Sequence, residues 1–357
     1  MLRDLIVGPH QISFDITNKC NLRCLHCYNS SGENLASQNE LTDQEVLDFI
    51  DEFKSIKLLN FCFCGGEPLL RKELIVEAAK RLRTYGCENV AMVSNGILMT
   101  DEVIEELINA GVTRIQISLD GIKAESHDRI RNKKGVYEKA TRAIEALVKH
   151  GVDTAVAFTP TSFNISELRA VRDYLHTVGI SGTSLRVQPL MIMGRASQNV
   201  KAIEATNDQY RDLVMEIRKM NMEGKDPQID WGDPIDHLIR FRQKDLMLTN
   251  AIVRSNGELI VDPYLPIILG NLKKHSFTEY WENGLYKMWQ LEIVKKLAEK
   301  VICIREMDIE SNDMPVEFKN GDVSRFTHRE ALTAFAGVDP GVDESGQHAG
   351  TGLTIRL

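Results

Sequence analysis

The chain has 357 residues, 43% of them apolar and 26% charged, which is ordinary for a folded protein and rules out disorder throughout. The formal net charge is −8 with no concentrated basic stretch, so a nucleic-acid groove is not expected. No apolar run approaches the roughly 20 residues of a membrane span, and the opening Met1-Leu2-Arg3-Asp4-Leu5 is no signal peptide, so the expected location is cytoplasmic.

A strand pattern followed by a helix pattern recurs along the first two thirds. The first strand is expected at Gln11–Thr17, where Ile12, Phe14 and Ile16 alternate, and its helix at Thr42–Phe53, opened by a Thr42/Glu45 capping box. Further strands are expected at Leu58–Cys64, Asn89–Ser94, Arg114–Leu119, Thr154–Phe158 and Ser184–Leu190. Helices are expected at Lys72–Tyr85, Asp101–Ala110, Tyr137–His150, Ile165–Val178 and Asp208–Met222, most of them stopped by Gly. Such alternation predicts an α/β fold with a parallel sheet. Periodicity leaves two closures open, a doubly wound sheet and a barrel-like curl. In both, chemistry belongs at the C-terminal ends of the strands, where Cys20, Gly65, Ser94, Asp120 and Arg195 fall. After Met222 the rhythm breaks. Ala251–Val261 reads as a hairpin turning at Asn256-Gly257, Phe277–Trp289 and Leu291–Lys300 as helices, and the Gly-rich tail from Ala336 as a draped segment.

Of the seven Cys, three crowd into Cys20-Asn21-Leu22-Arg23-Cys24-Leu25-His26-Cys27, directly after the first strand. Crowded thiols in a reducing compartment read as metal ligands rather than a disulfide framework. Thiolates favour iron–sulfur or zinc, and three leave one corner of a four-iron cubane open. The competing reading is a structural zinc with His26 as fourth ligand. Structural zinc sites usually draw ligand pairs from two separated turns, whereas here all four would come from one loop.

The C-x3-C-x2-C loop resembles the signature of the radical S-adenosylmethionine (SAM) superfamily. That resemblance implies a partial (β/α)6 barrel in which Cys20, Cys24 and Cys27 hold a [4Fe–4S] cluster, SAM binds the fourth iron, and His26 packs near the adenine. Gly65-Gly66-Glu67-Pro68 resembles the family's GGEP segment, with Glu67 implied as acceptor for the SAM ammonium. Ser94-Asn95-Gly96, Ser118-Leu119-Asp120-Gly121 and His127-Asp128-Arg129-Ile130-Arg131 resemble further cofactor contacts. In these, Ser94 and Asn95 fall at a ribose or carboxylate contact, Ser118 and Asp120 in an S-x-D-G segment, and Arg131 near the SAM carboxylate. Where the family often has Gly, Asn132 follows.

Gln188-Pro189-Leu190 with Gly194-Arg195-Ala196, and later Ser255–Glu258, Asp262-Pro263-Tyr264, Leu269–Leu272 and Trp281, resemble the peptide-modifying branch and its SPASM or twitch extension. The division implied is a barrel over 1–225, a degenerate extension over 226–335 and the tail over 336–357. That extension usually has Cys where Asp262 stands, and Cys303 is the only Cys beyond Cys87, with Glu306 where a partner would sit. An extension that has lost its auxiliary cluster is therefore expected, with Cys303 an ordinary buried residue. Cys62 and Cys64 share one face of a strand, where the plain reading is core packing.

The resemblance implies reductive cleavage of SAM to a 5′-deoxyadenosyl radical that takes hydrogen from a substrate. The first expectation is a ribosomal precursor peptide, modified by crosslinking or epimerisation. Its partners would be an external one-electron reductant of flavodoxin or ferredoxin type and a separate leader-recognition protein. The alternatives are haem or other cofactor biosynthesis, acting on a small-molecule precursor, and a non-catalytic iron–sulfur or zinc binding protein.

Overall fold

In the computed structural model, which describes residues 8–33, 39–241, 250–303 and 314–315, strand and helix alternate from the first strand onward. The early units are β1 (Gln11–Thr17), α1 (Asp43–Asp51), β2 (Asn60–Gly65), α2 (Lys72–Thr84), β3 (Asn89–Ser94) and α3 (Asp101–Ala110). Next come β4 (Arg114–Ser118), α4 (Ala124–Arg131), α5 (Val136–Lys149), β5 (Asp153–Phe158), α6 (Leu168–Val178) and β6 (Thr183–Val187). Then follow α7 (Gly194–Ile203), α8 (Asn207–Met222), β7 (Gln228–Trp231) and α9 (Pro234–Phe241). The extension supplies β8 (Asn250–Val253), β9 (Glu258–Asp262), β10 (Leu265–Asn271), α10 (Phe277–Glu282), α11 (Glu292–Lys300) and β11 (Met314–Pro315).

One sheet runs β11-β10-β9-β8-β1-β2-β3-β4-β5-β6-β7. Strands β1 to β7 pair in parallel and in chain order, so every crossover advances the same way. A doubly wound sheet reverses its order part-way; this one does not. Right-handed crossovers that never reverse put the helices on a single face, as in a barrel wall, and that settles the closure the periodicity left open. β8 joins β1 in parallel, and the hairpin β8–β9 and strand β10 extend the wall antiparallel.

The helix-facing rows of the strands make the core. Ile12, Phe14, Ile16, Phe61, Phe63, Val90, Ile115, Ile117, Val156 and Phe158 are fully buried. The opposite rows are half-exposed and small or polar: Ser13 and Asp15 on β1, Cys62 and Cys64 on β2, Ala91 and Val93 on β3, Gln116 and Ser118 on β4. Alternate residues of a strand face opposite sides, so these line the lumen of the curl. A lumen row too small and polar to fill itself leaves room for ligands.

Three features depart from the sequence reading. His127–Arg131 forms most of a separate helix, α4, ended by Asn132 in the left-handed conformation at φ 54°. Gly194-Arg195-Ala196 opens α7 instead of making a simple turn, and β6 stops at Val187. Cys303 is exposed, not buried, because it lies just past the end of α11. Trp281 and Trp289 are buried, tying α10 and the turn after it to the extension's core.

Candidate active site

The cysteine loop is held from within and by helices α4 and α7. Arg23 turns back and donates from Nη1 to the carbonyls of Cys20 and Leu22, and from Nη2 to that of Gly32. The Leu25 N–H donates to the Ile130 carbonyl of α4 at 2.8 Å, and the Ala196 N–H of α7 to the Cys27 carbonyl at 3.2 Å. Arg195 is buried against the loop. Its Nη1 donates to the Cys24 carbonyl at 3.1 Å, its Nη2 to the Ser31 carbonyl at 3.2 Å, and Nη2 also pairs with Glu33 at 2.7 Å. Sequence reading placed Arg195 after a strand but gave it no task; two carbonyls 7 residues apart could be tied only by a forked donor from elsewhere in the chain.

The GGEP segment packs beneath this loop. The Gly66 N–H donates to the Thr17 carbonyl and the Glu67 N–H to that of Lys19, joining the end of β2 to the end of β1. At Gly66 a Cβ would stand 2.1 Å from the Lys19 carbonyl oxygen and 2.8 Å from that of Asn18, both backbone atoms that cannot step aside. Gly66→Ala is therefore expected to push the Lys19–Cys20 backbone away. We expect lower iron content after reconstitution and, from misplacement on the ångström scale, about a hundredfold slower SAM cleavage. Iron analysis and a 5′-deoxyadenosine assay check this.

Glu67 is fully buried. Its carboxylate accepts from Ser94 Oγ at 2.9 Å, from the Asn95 N–H at 2.9 Å and from the Leu69 N–H at 3.2 Å. Burial pushes its carboxyl up, against the pull of the Asn95, Ser94 and Leu69 donors. Glu67 thus clamps the end of β2 to the end of β3, while the Gly65-Gly66 backbone faces the cavity. Pro68 is buried and starts a short 3-10 turn capped by Glu67.

A cavity of about 310 Å³ opens over these elements, within the range of small-molecule sites. Cys20, Cys24, Cys27, His26, Gly65, Gly66, Ser94, Asn95, Ser118 and Arg131 all line it, as do Tyr28, Cys64, Gln188 and Met191. Glu67, Pro68 and Asp120 stand behind that wall. The carboxylate of Asp120 pairs with Arg131 Nη2 at 2.6 Å and accepts the Thr159 N–H at 2.9 Å. Burial alone would raise its carboxyl; the charges of Arg131, His26 and His127 outweigh burial and hold it below the ordinary carboxylate value. Arg131 also reaches Cys24 Sγ at 3.8 Å.

Among the described residues no three His, Cys, Asp or Glu side chains are placed to hold a single metal ion. His26, proposed above as a zinc ligand, instead sits with Nε2 3.6 Å from Asp120. Three thiols line one cavity, the ligand set that a four-iron cluster with one open corner takes. A buried atom on that wall, Arg131 Nε, also lacks a partner in the chain, which suits a polar ligand. Burial pushes Cys24 up to about 11, so it is metal binding that must displace its proton.

The radical SAM superfamily model matches residues 14–175. Mycofactocin maturase MftC of Mycobacterium tuberculosis is 30% identical over 293 residues, 78% of this chain and 71% of that protein. The chain belongs to the radical SAM superfamily. It is also 28% identical over 313 residues to an AdoMet-dependent heme synthase of Methanosarcina barkeri, 82% of this chain and 85% of that one. It spans about half the length of other curated relatives, among them the Fe-coproporphyrin III synthase of the same organism, where 53% is covered. In fold it resembles SuiB of Streptococcus suis bound to S-adenosylmethionine, with a TM-score of 0.61 at 11% identity over 77% of this chain and 66% of that one. As a radical SAM enzyme it takes a [4Fe–4S] cluster and SAM as cofactors. A second model, of the transposase IS116/IS110/IS902 family, matches residues 314–356, so the end of the chain resembles a sequence family unrelated to the barrel.

Asp262 is buried, pairs with His237 Nε2 at 2.7 Å and caps the Tyr264 N–H at 2.9 Å. Glu306 lies outside the described residues. No helix among the described residues is long and apolar enough to cross a membrane.

Proposed function

We propose that this radical SAM enzyme modifies a peptide. The observation that carries the reading is a second cavity, about 470 Å³, next to the first. Gln188 on the first wall donates to the Tyr264 hydroxyl on the second at 2.9 Å, so the two adjoin. The second cavity lies where β1, β7 and β8 face one another, and Asp230, Asp233 and Asp262 line it against Arg186 and His237. A net acidic, polar groove that continues from the radical site suits an extended chain with amide and basic groups. It disfavours a tetrapyrrole bearing several carboxylates, which would meet like charge. SuiB, of the same fold, is known bound to its precursor peptide SuiA.

In this reading Cys20, Cys24 and Cys27 hold the cluster, and the wall of Gly65, Gly66, Ser94, Asn95, Ser118, Arg131 and His26 holds SAM. Glu67 and Asp120 act behind it, fixing the β2, β3 and α4 ends. Bound together, the two cofactors supply a carbon-centred radical by one-electron reduction. The chain's own part is to orient the pieces, exclude water and lead the substrate along the lumen. An external reductant of flavodoxin or ferredoxin type and a separate leader-recognition protein complete the system. In this reading the extension from about residue 226 keeps its fold and has lost its auxiliary cluster.

The test is anaerobic reconstitution, then SAM, dithionite and the peptide encoded beside the gene. We expect about four irons per chain, 5′-deoxyadenosine, and a mass change or isomer in the peptide, all absent when Cys20, Cys24 and Cys27 are replaced by Ala. About eight irons would restore an auxiliary cluster. A second reading, haem-precursor oxidation, is favoured by the similarity to the heme synthase over 82% of this chain. Stimulation by iron-coproporphyrin, and not by peptide, would establish it.

A further inference from the structure

The strand β2 carries two thiols that the cluster does not use. Cys62 and Cys64 stand on the lumen row, pleat neighbours with their sulfurs 3.5 Å apart. A cysteine that merely packs is buried among apolar side chains. These two are half-buried, and their register partners on β1 are Ser13 and Asp15. The helix-facing residues of the same strand, Phe61 and Phe63, are the ones that fill the core. Core packing, the expectation for this pair from sequence, therefore fails. The two thiols also differ from each other. Cys64 lines the same cavity as Cys20, Cys24, Cys27, Ser118 and Gln188, whereas Cys62 sits one pleat further from it. The contact with Cys62 and then burial push the Cys64 thiol well above its ordinary value, which keeps its hydrogen on sulfur.

We propose that Cys64 is a catalytic hydrogen-atom donor, returning hydrogen to the substrate radical so that the substrate undergoes no net oxidation. An S–H bond is weaker than an unactivated aliphatic C–H bond, so transfer to such a carbon radical runs downhill; to a stabilised peptide α-carbon radical it is near balance, and reduction of the thiyl drives it. The C–H bond forms as the S–H bond breaks, leaving a Cys64 thiyl radical. One electron from an external one-electron reductant and one proton from solvent restore the thiol. Cys62, in contact but off the cavity, gives the thiyl a sulfur neighbour without competing for the substrate. This narrows the modification to one in which hydrogen leaves and returns, such as inversion at a peptide α-carbon. It rests on the radical chemistry of the family and does not require the peptide reading.

The test needs no substrate. The reconstituted protein cleaves SAM in D2O with titanium(III) citrate and no added thiol, and the isolated 5′-deoxyadenosine is weighed for deuterium. Solvent exchange makes Cys64 an S–D donor, whereas carbon-bound hydrogens stay protium. We expect mostly monodeuterated nucleoside from wild type and from Cys62→Ser, and at least a fivefold drop in label from Cys64→Ser, whose O–H bond is too strong to donate. Iron content should match in all three. Unlabelled nucleoside from wild type, or label that persists in Cys64→Ser and vanishes in Tyr28→Phe, overturns the proposal. Failure of this test leaves the peptide reading intact, because the assay contains no peptide.

Discussion

Replacing Arg131 with Met is expected to destabilise the reconstituted protein by about 3–5 kcal/mol, the usual cost of stranding one member of a buried ion pair. Asp120 is the partner left behind, its side chain 1% exposed and its Oδ2 2.6 Å from Arg131 Nη2. Without the guanidinium, burial would dominate and raise the carboxyl. The loss should therefore shrink on acidification, as Asp120 takes a proton in the folded variant. In the wild type the sign is opposite, since a carboxyl held below its ordinary value gives stability above that value and loses it as pH falls through the folded one. Asp120→Asn combined with Arg131→Met should recover part of the loss, because Asn still accepts the Thr159 N–H and carries no charge. The same substitution removes the donor 3.8 Å from Cys24 Sγ and one cavity wall, so SAM affinity should fall as well. Urea midpoints and SAM titration of the single and double variants check the stability and binding parts separately. Equal stability of Arg131→Met and wild type would mean the pair adds nothing.

The barrel was readable because its signals are local. Alternation in Gln11–Thr17, the Thr42/Glu45 box and Gly stops such as Gly111 each act within a turn or two, and the structure contains all of them. The cysteine loop was readable for the same reason, three ligands inside one short segment. What was not legible depends on contacts between distant segments. Glu67 could be read as an acceptor, but its donors, Ser94 and Asn95, lie 27 and 28 residues away and reach it only once β2 and β3 pair. Arg195 meets Cys24 across 171 residues. Cys62 and Cys64 looked like core because a strand buried on both faces and one lining a lumen have similar apolar content; the single clue was small residues alternating with Phe61 and Phe63. Helix α4 was missed because His127–Arg131 is mostly polar and its mean hydropathy is low, so no apolar stripe announces it. Beyond Met222 the sheet is joined across the start of the chain, the four-residue β8 with β1, which no local pattern encodes.

Acid should unfold the protein early, and buried His127 is one reason beside His26, which burial likewise lowers to about 4. The ring is fully buried, and its Nδ1 accepts the Asp120 N–H at 3.0 Å, a bond that exists only while that nitrogen is unprotonated. Burial first, and the Arg131 charge second, lower it from 6.5 to about 4, against the pull of Asp120 and Asp128. The unfolded chain thus takes up this proton near 6.5 and the folded chain only near 4. Between those values the unfolded state binds more protons, and stability must fall as pH falls, by on the order of 3 kcal/mol for this one group. Asp120 works in the same direction, but its share is lost only below the ordinary carboxylate range, so the His127 component comes first. Other groups facing the ring set the background: Arg131 on the same helix, Asp120 on the loop after β4, His26 from the cysteine loop, and the Tyr137 ring edge-on at 6.1 Å. His127→Asn separates His127 from that background, since Asn can present an oxygen near the Nδ1 position and has nothing to titrate. Urea midpoints at steps between pH 7 and pH 4 should drop steeply for wild type and more gently for His127→Asn, with the two curves diverging below about pH 6.5. Parallel curves would mean that His127 is protonated in the folded protein and that the Asp120 N–H has found another acceptor.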